Sequence, residues 1–171
     1  MRNPTVFLSL AFGLGLSVAS PAAAQKAVFV VRHAEKVSEA DQRLTAAGRQ
    51  RAERLARMLR DSGIAAIYAT DTERARDTAA PLARALGLKI ATYDTGASMK
   101  GAVDARPFVA ALRKDHPSDV VLIVGHSNTI PDLLRALGCA ETISLADDEY
   151  DDLFVVAPEP GRAATLVRLR Y

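Results

Sequence analysis

Ala27-Val28-Phe29-Val30-Val31-Arg32-His33-Ala34-Glu35-Lys36 begins as a continuous apolar run rich in valine and then breaks abruptly into charge. An uninterrupted run of this length, without polar alternation, is what a strand buried on both faces presents. A second run, Val120-Val121-Leu122-Ile123-Val124, ends in the same way at Gly125-His126. Around these two runs, short apolar segments alternate with longer ones of helical period. Leu44-Thr45 opens a helix with Thr45 as N-cap; Leu55, Met58 and Leu59 recur on one face, arginines take the other, and Gly63 ends the segment. Residues 64 to 69 read as a strand, 72 to 86 as a helix closed by Gly87, and 88 to 91 as a short third strand. A helix over 104 to 114 stops at His116-Pro117, and another, capped by Asn128 or Thr129, runs to Leu137. Strands at 153 to 156 and 164 to 169 finish the chain, joined by the turn Pro158-Glu159-Pro160-Gly161. The alternation predicts an α/β domain.

The N-terminus reads differently. One positive charge at Arg2 precedes an uncharged apolar run from Val6 to Val18, followed by small residues at Ala22 and Ala24. This order predicts a cleaved secretory signal over residues 1–24, because the apolar run is shorter than the roughly 20 residues a spanning helix needs. The expectation is therefore an exported protein, periplasmic or secreted, with no stable membrane anchor after cleavage and one domain over 25–171. A formal net charge of +2 argues against bulk electrostatic binding of nucleic acid or anionic membrane. Cys139 is the sole cysteine, so no intrachain disulfide forms; its place after Leu137-Gly138 suggests a small residue packed at a helix end.

Both apolar runs deliver a histidine, His33 and His126, directly after a strand, where parallel α/β sheets hold their ligands. Arg32 adjoins the first, and Arg74 stands a few residues past the second strand in Thr70-Asp71-Thr72-Glu73-Arg74-Ala75-Arg76-Asp77-Thr78. Two guanidinium groups and two imidazoles at one crevice suit phosphoryl transfer: planar cations surround the equatorial oxygens, and a neutral imidazole attacks phosphorus. Neighbouring arginines favour that neutral form.

These residues resemble the histidine phosphatases, the phosphoglycerate mutase-like superfamily. Arg32-His33-Ala34 stands where the family has Arg-His-Gly. Leu44-Thr45-Ala46-Ala47-Gly48-Arg49-Gln50, the segment from Tyr68 to Thr78, and Val124-Gly125-His126-Ser127 match three further motifs in the family's order. The resemblance implies a three-layer α/β/α sandwich with a mostly parallel central sheet. It implies a metal-independent, cofactor-free phosphatase acting on a small phosphorylated substrate or a phosphoprotein. In it, His33 is phosphorylated transiently while Arg32, Arg74 and His126 hold the phosphoryl group. The family's proton donor follows the third strand, which points to Asp94, with Glu35 as the rival; the shorter, phosphohistidine-directed members manage without that acid. Ala34 departs from the family glycine.

Arg76 and Lys36 read as surface or ion-pair residues, and His116 as solvent-exposed at the opposite edge of the sheet. Three histidines and one cysteine at these spacings assemble no regular zinc site. The run Asp147-Asp148-Glu149-Tyr150-Asp151-Asp152 lacks the spacing of a calcium loop and reads as a solvated turn. The weakly patterned stretch from Ala91 to Pro107, with Met99, Lys100 and Arg106, is the expected rim of the site. Ala34 and the unplaced acid also admit a non-catalytic anion-binding module of the same fold. A phosphomutase is less favoured, because little chain separates Arg74 from His126 to build a cap.

Overall fold

The computed structural model describes residues 26–94, 104–159 and 161–171, so the expected signal over 1–24 and the expected rim residues Met99 and Lys100 lie outside it. The chain runs β1 (Ala27–Arg32), α1 (Ala46–Leu59), β2 (Ile64–Ala69), α2 (Glu73–Leu86), β3 (Ile90–Thr92), α3 (Arg106–Asp115), β4 (Val120–Gly125), α4 (Ile130–Leu137), β5 (Asp152–Ala157) and β6 (Thr165–Arg170). The strands form one sheet in the order β3-β2-β4-β1-β5-β6. Its first four strands are parallel, and β5 and β6 close it antiparallel. Among the described residues, no helix is long and apolar enough to cross a membrane.

The unbroken apolar runs reflect burial on both sides. Val28 and Val30 of β1, with Val121 and Ile123 of β4, face a core closed by Val109 and Leu112 of α3 and by Ile130, Leu133 and Leu134 of α4. Val31, Leu122 and Val124 face the other way, onto Leu55 and Leu59 of α1 and Ala75, Ala79 and Leu82 of α2. The result is the expected three-layer α/β/α sandwich.

Local chemistry sets the boundaries. The Thr45 hydroxyl accepts from the Gly48 amide at 3.0 Å and caps α1. Gly87, at φ 66°, ends α2 in the left-handed conformation. The third strand was expected from Leu88, but the Leu88 amide turns back to the Ala83 carbonyl at 2.9 Å. That bond belongs to the helix cap, so pairing with β2 begins only at Ile90. Cys139 is buried, as expected of a helix-end packing residue, and burial pushes its thiol up to about 11.

Gly48 has a second role. A Cβ there would be driven onto the carbonyl oxygen of Glu35 and come within 3.1 Å of its amide nitrogen, so α1 approaches the loop after β1 at glycine distance. The Glu35 carbonyl also accepts from the Thr45 amide at 2.9 Å, which holds the approach in place. Replacing a helical glycine by alanine ordinarily stabilises by about 1 kcal/mol. Here Gly48→Ala is expected to destabilise by about 1–3 kcal/mol, because backbone rather than a pliable side chain must yield. Denaturant unfolding of the two proteins checks the sign; equal or greater stability in the variant contradicts the close approach.

Candidate active site

β1 and β4 pair in parallel up to Arg32 opposite Gly125, and the His33 amide then donates to the Gly125 carbonyl at 2.9 Å. The residues that follow, His33 and His126, are thereby set side by side, with ring centroids 5.1 Å apart. Gly125 is needed for this turn: a Cβ there would meet the Thr129 hydroxyl at 2.9 Å and the Tyr93 hydroxyl at 3.0 Å. Thr129 in turn accepts from the His126 amide at 2.9 Å, seating the histidine at the start of α4. Arg74 enters from the first turn of α2, behind its N-cap Thr72.

The four expected phosphoryl-handling residues therefore share one open cleft of about 430 Å³, together with Lys36, Glu39, Ser127, Asn128, Asp147 and Tyr150. They are withdrawn from solvent: Arg32 is 6% exposed, His33 3%, Arg74 5% and His126 9%. The Nε atoms of Arg32 and Arg74 are buried with no hydrogen-bond partner among the described residues. Leaving a buried cationic N–H unbonded is costly, and an anion in the cleft would offset that cost.

Hydrogen-bond partners settle the two tautomers. A carbonyl only accepts, so His33 Nδ1 carries the proton that it donates to the Ala34 carbonyl at 2.8 Å. Its Nε2 then keeps the lone pair, and among the described residues nothing binds that nitrogen. A guanidinium only donates, so Arg74 Nη2 at 3.3 Å makes His126 Nδ1 an acceptor. His126 Nε2–H donates to the Thr70 hydroxyl at 2.7 Å. Both rings are held neutral. Burial, followed by Arg74, Arg32 and Lys36, lowers His33 to about 4, with the Ala34 carbonyl acting in the opposite sense. Burial, followed by His33, Arg74, Arg32 and Lys36, lowers His126 to about 3.

The loop after β1 is tied to α2. The Ala34 amide donates to the buried Thr78 hydroxyl at 2.9 Å, and that hydroxyl donates to the Arg74 carbonyl at 2.7 Å. Ala34 needs no left-handed backbone, since among the described residues only glycines have positive φ. Its methyl packs with Leu44 and Ala52 instead.

The two candidate acids are not brought to this group. Glu35 lies on the far side of the loop, bound by Arg51 through Nε at 3.0 Å and Nη2 at 2.7 Å. Asp94 stands exposed just beyond β3, the outermost strand, with β2 and β4 between it and β1, and it does not line the cleft. Arg106 pairs with Asp104 at 2.8 Å and does not line it either. Arg76 forms the expected surface pair, with Asp71, while Lys36 pairs with Glu39 at the cleft itself. His116, expected to be solvent-exposed, is half-buried: Tyr68 donates to its Nε2 at 2.9 Å, and its Nδ1 donates to Asp119 at 3.0 Å. Among the described residues no cluster of three or more His, Cys, Asp or Glu is arranged to hold a metal ion.

Three contributors escaped the sequence reading. Thr70 and Thr78 carry no signal beyond their place near β2 and on α2, and Tyr150 was concealed within the acidic run.

The model of the histidine phosphatase superfamily (branch 1) matches residues 28–97, which include Arg32, His33 and Arg74. That stretch of the chain is similar to the histidine phosphatase superfamily. His126 lies beyond the matched residues and joins the group through the pairing of β1 with β4. The fold is similar to that of the protein histidine phosphatase SixA in complex with tungstate, at 17% identity over 84% of this chain and 96% of that one, with a TM-score of 0.67. It is similar also to a mycobacterial glucosyl-3-phosphoglycerate phosphatase in complex with inorganic phosphate, at 18% identity over 85% and 96%, TM-score 0.64. YhfR from Bacillus stearothermophilus is a third such structure, at 20% identity over 81% and 94%, TM-score 0.64. At these identities the likeness shows the fold alone. No curated protein matches the chain by sequence.

Both folded-state values lie below the ordinary 6.5 of histidine. Between 6.5 and about 4 the unfolded chain thus binds protons that the folded chain does not, and stability falls as pH falls through that window. Urea unfolding at about pH 7 and about pH 4.5 is expected to give a larger acid-induced loss in the parent than in a His33→Gln/His126→Gln double variant. Equal losses would mean that these rings are not held neutral by the fold.

Proposed function

We propose that the protein is a phosphatase working through a phosphohistidine on His33. The observation that carries this reading is the tautomer of His33: Nδ1–H is committed to the Ala34 carbonyl, so Nε2 remains as a neutral nucleophile in a cleft walled by buried arginines. The Nε2 lone pair forms a bond to phosphorus, the phosphorus bond to the leaving group breaks with its electron pair, and the leaving atom takes up a proton from solvent. A water then attacks phosphorus from the opposite side and gives up a proton to solvent. The bond from phosphorus to Nε2 breaks, the lone pair returns to His33, and phosphate leaves. Arg32 and Arg74 offset the charge on the equatorial oxygens throughout, as planar donors suit. His126 adds the edge of a neutral ring.

We propose further that the reaction is metal-independent and takes place outside the cytoplasm after removal of residues 1–24, a reading supported by the order of charge, apolar run and small residues there. Among the described residues the only carboxylates lining the cleft are Glu39 and Asp147, both exposed, and Glu39 is paired with Lys36. That favours substrates whose leaving group needs little help from an acid, such as an activated phosphomonoester or a phosphohistidine.

Mature protein assayed with p-nitrophenyl phosphate in EDTA is expected to turn over. His33→Ala is expected to lose at least about a thousandfold in kcat, as removal of a nucleophile does. Arg74→Lys should lose about a hundredfold, since an ammonium cannot reproduce the planar fork. Across substituted aryl and alkyl phosphates, kcat/KM should fall steeply as the leaving group becomes more basic. Loss of the parent's activity on chelation, or full activity in His33→Ala, would sink the reading.

A further inference from the structure

The acidic run makes the expected exposed turn at Asp147-Asp148 before β5, and its later residues are also strapped to the sheet. Arg168 of β6 grips Asp152, which is fully buried, through Nε at 2.6 Å and Nη2 at 2.7 Å. Arg170 binds Asp151 at 2.7 Å, and Glu149 accepts from Arg170 at 3.3 Å and from the Ala146 amide at 2.8 Å. The consequence appears on the other side of the loop. The carbonyls of Ala146 and Glu149 accept from Arg32 Nη1 at 2.8 Å and 3.0 Å. The Tyr150 ring lies over the same guanidinium, 4.1 Å from Cζ to the ring centroid, and its centroid is 5.9 Å from that of His33.

Arg32 needs such a hold. It is buried beside Arg74, a like charge, and its Nε has no partner among the described residues, so nothing on the cleft side fixes it. Two carbonyls on Nη1 set the plane of the guanidinium, and the ring covers one face. The donors left over, Nε and Nη2, are then presented together, the edge that a phosphoryl oxygen pair matches.

We propose that Tyr150 is a positioning residue: with the Ala146 and Glu149 carbonyls it locks the Arg32 guanidinium in one orientation, so that the phosphoryl group meets donors already in place. The proposal rests on the reading of the cleft as a phosphoryl site. It concerns the ring of Tyr150 rather than its hydroxyl, because the ring face is what meets Arg32.

Nitrogen-15 NMR of the arginine side chains in the ligand-free protein tests the lock directly. Parent and Tyr150→Phe should show separate, slowly exchanging Nη signals for Arg32, whereas Tyr150→Leu should show one averaged signal. Separate signals in Tyr150→Leu would overturn the proposal. Calorimetry with inorganic phosphate supplies the functional arm. Tyr150→Leu should weaken binding roughly three- to thirtyfold, the span that corresponds to a cation–π contact, and Tyr150→Phe should restore most of it. In an Arg32→Ala background the same Tyr150→Leu change should have less than about a twofold effect, since the ring then has nothing to hold. Additive losses would overturn the proposal. Should Tyr150→Leu fail to fold, Tyr150→Met takes its place in both arms. If the parent binds no phosphate, the reading of the cleft fails, and the NMR arm still decides the lock.

Discussion

The hydrogen bond from the His33 amide to the Gly125 carbonyl, at 2.9 Å, is the last rung of the parallel pairing between β1 and β4, and the geometry of the site follows from it. Parallel strands end on the same edge, so two unrelated stretches of sequence deliver their next residue to one place. Slipping that register by one residue would exchange the faces of Val28, Val30 and Val31 between the two cores. Those side chains are wholly buried and packed on their own faces, so a slip would mispack both cores. The relative placement of the two imidazoles is therefore protected by the core itself.

Placing two guanidinium groups at that edge creates an electrostatic problem. Burial opposes the charge on Arg74, and Arg32 adds repulsion. In water each cation would be solvated, whereas here, among the described residues, Arg74 hydrogen-bonds to a neutral imidazole at 3.3 Å and Arg32 to two backbone carbonyls. None of these partners carries a formal negative charge. A carboxylate in their place would satisfy the arginines but would also compete with an anionic ligand. Burial, aided by the same field, holds both histidines neutral, so one arrangement supplies the cation cradle and keeps an unprotonated nitrogen beside it.

Much of this was legible from residues. The buried strands announced themselves through unbroken apolar runs, and Thr45, Thr72 and Gly87 cap helices where the pattern placed them. The position of β3 was not legible, because the Leu88 amide is consumed by the cap of α2, a choice made by geometry and invisible in composition. The contact of the acidic run with the site was missed for a related reason. It runs through main-chain carbonyls, which every residue has, and through Tyr150, whose orientation depends on salt bridges to a strand some twenty residues away. Side-chain chemistry in a sequence shows what a residue offers and is silent on what its backbone accepts.

Glu35 illustrates the complementary lesson, that proximity in sequence to a nucleophile says little about participation. Successive side chains of an extended segment point to opposite sides. With His33 turned into the cleft, the chain carries Glu35 toward α1, where Arg51 binds both of its oxygens. Arg51 also donates to the carbonyl of Tyr171 at 2.8 Å, joining the loop after β1 to Tyr171. Arg51 holds that carboxyl below the usual glutamate range against the opposing effect of burial, which suits an anchor and ill suits a proton donor at neutral pH. The loop is thus fixed from three sides: by Gly48 packed against its backbone, by Arg51 on Glu35, and by Thr78 on the Ala34 amide. A side chain on an irregular segment is held as firmly as one on a helix when each neighbouring backbone group has a partner of its own.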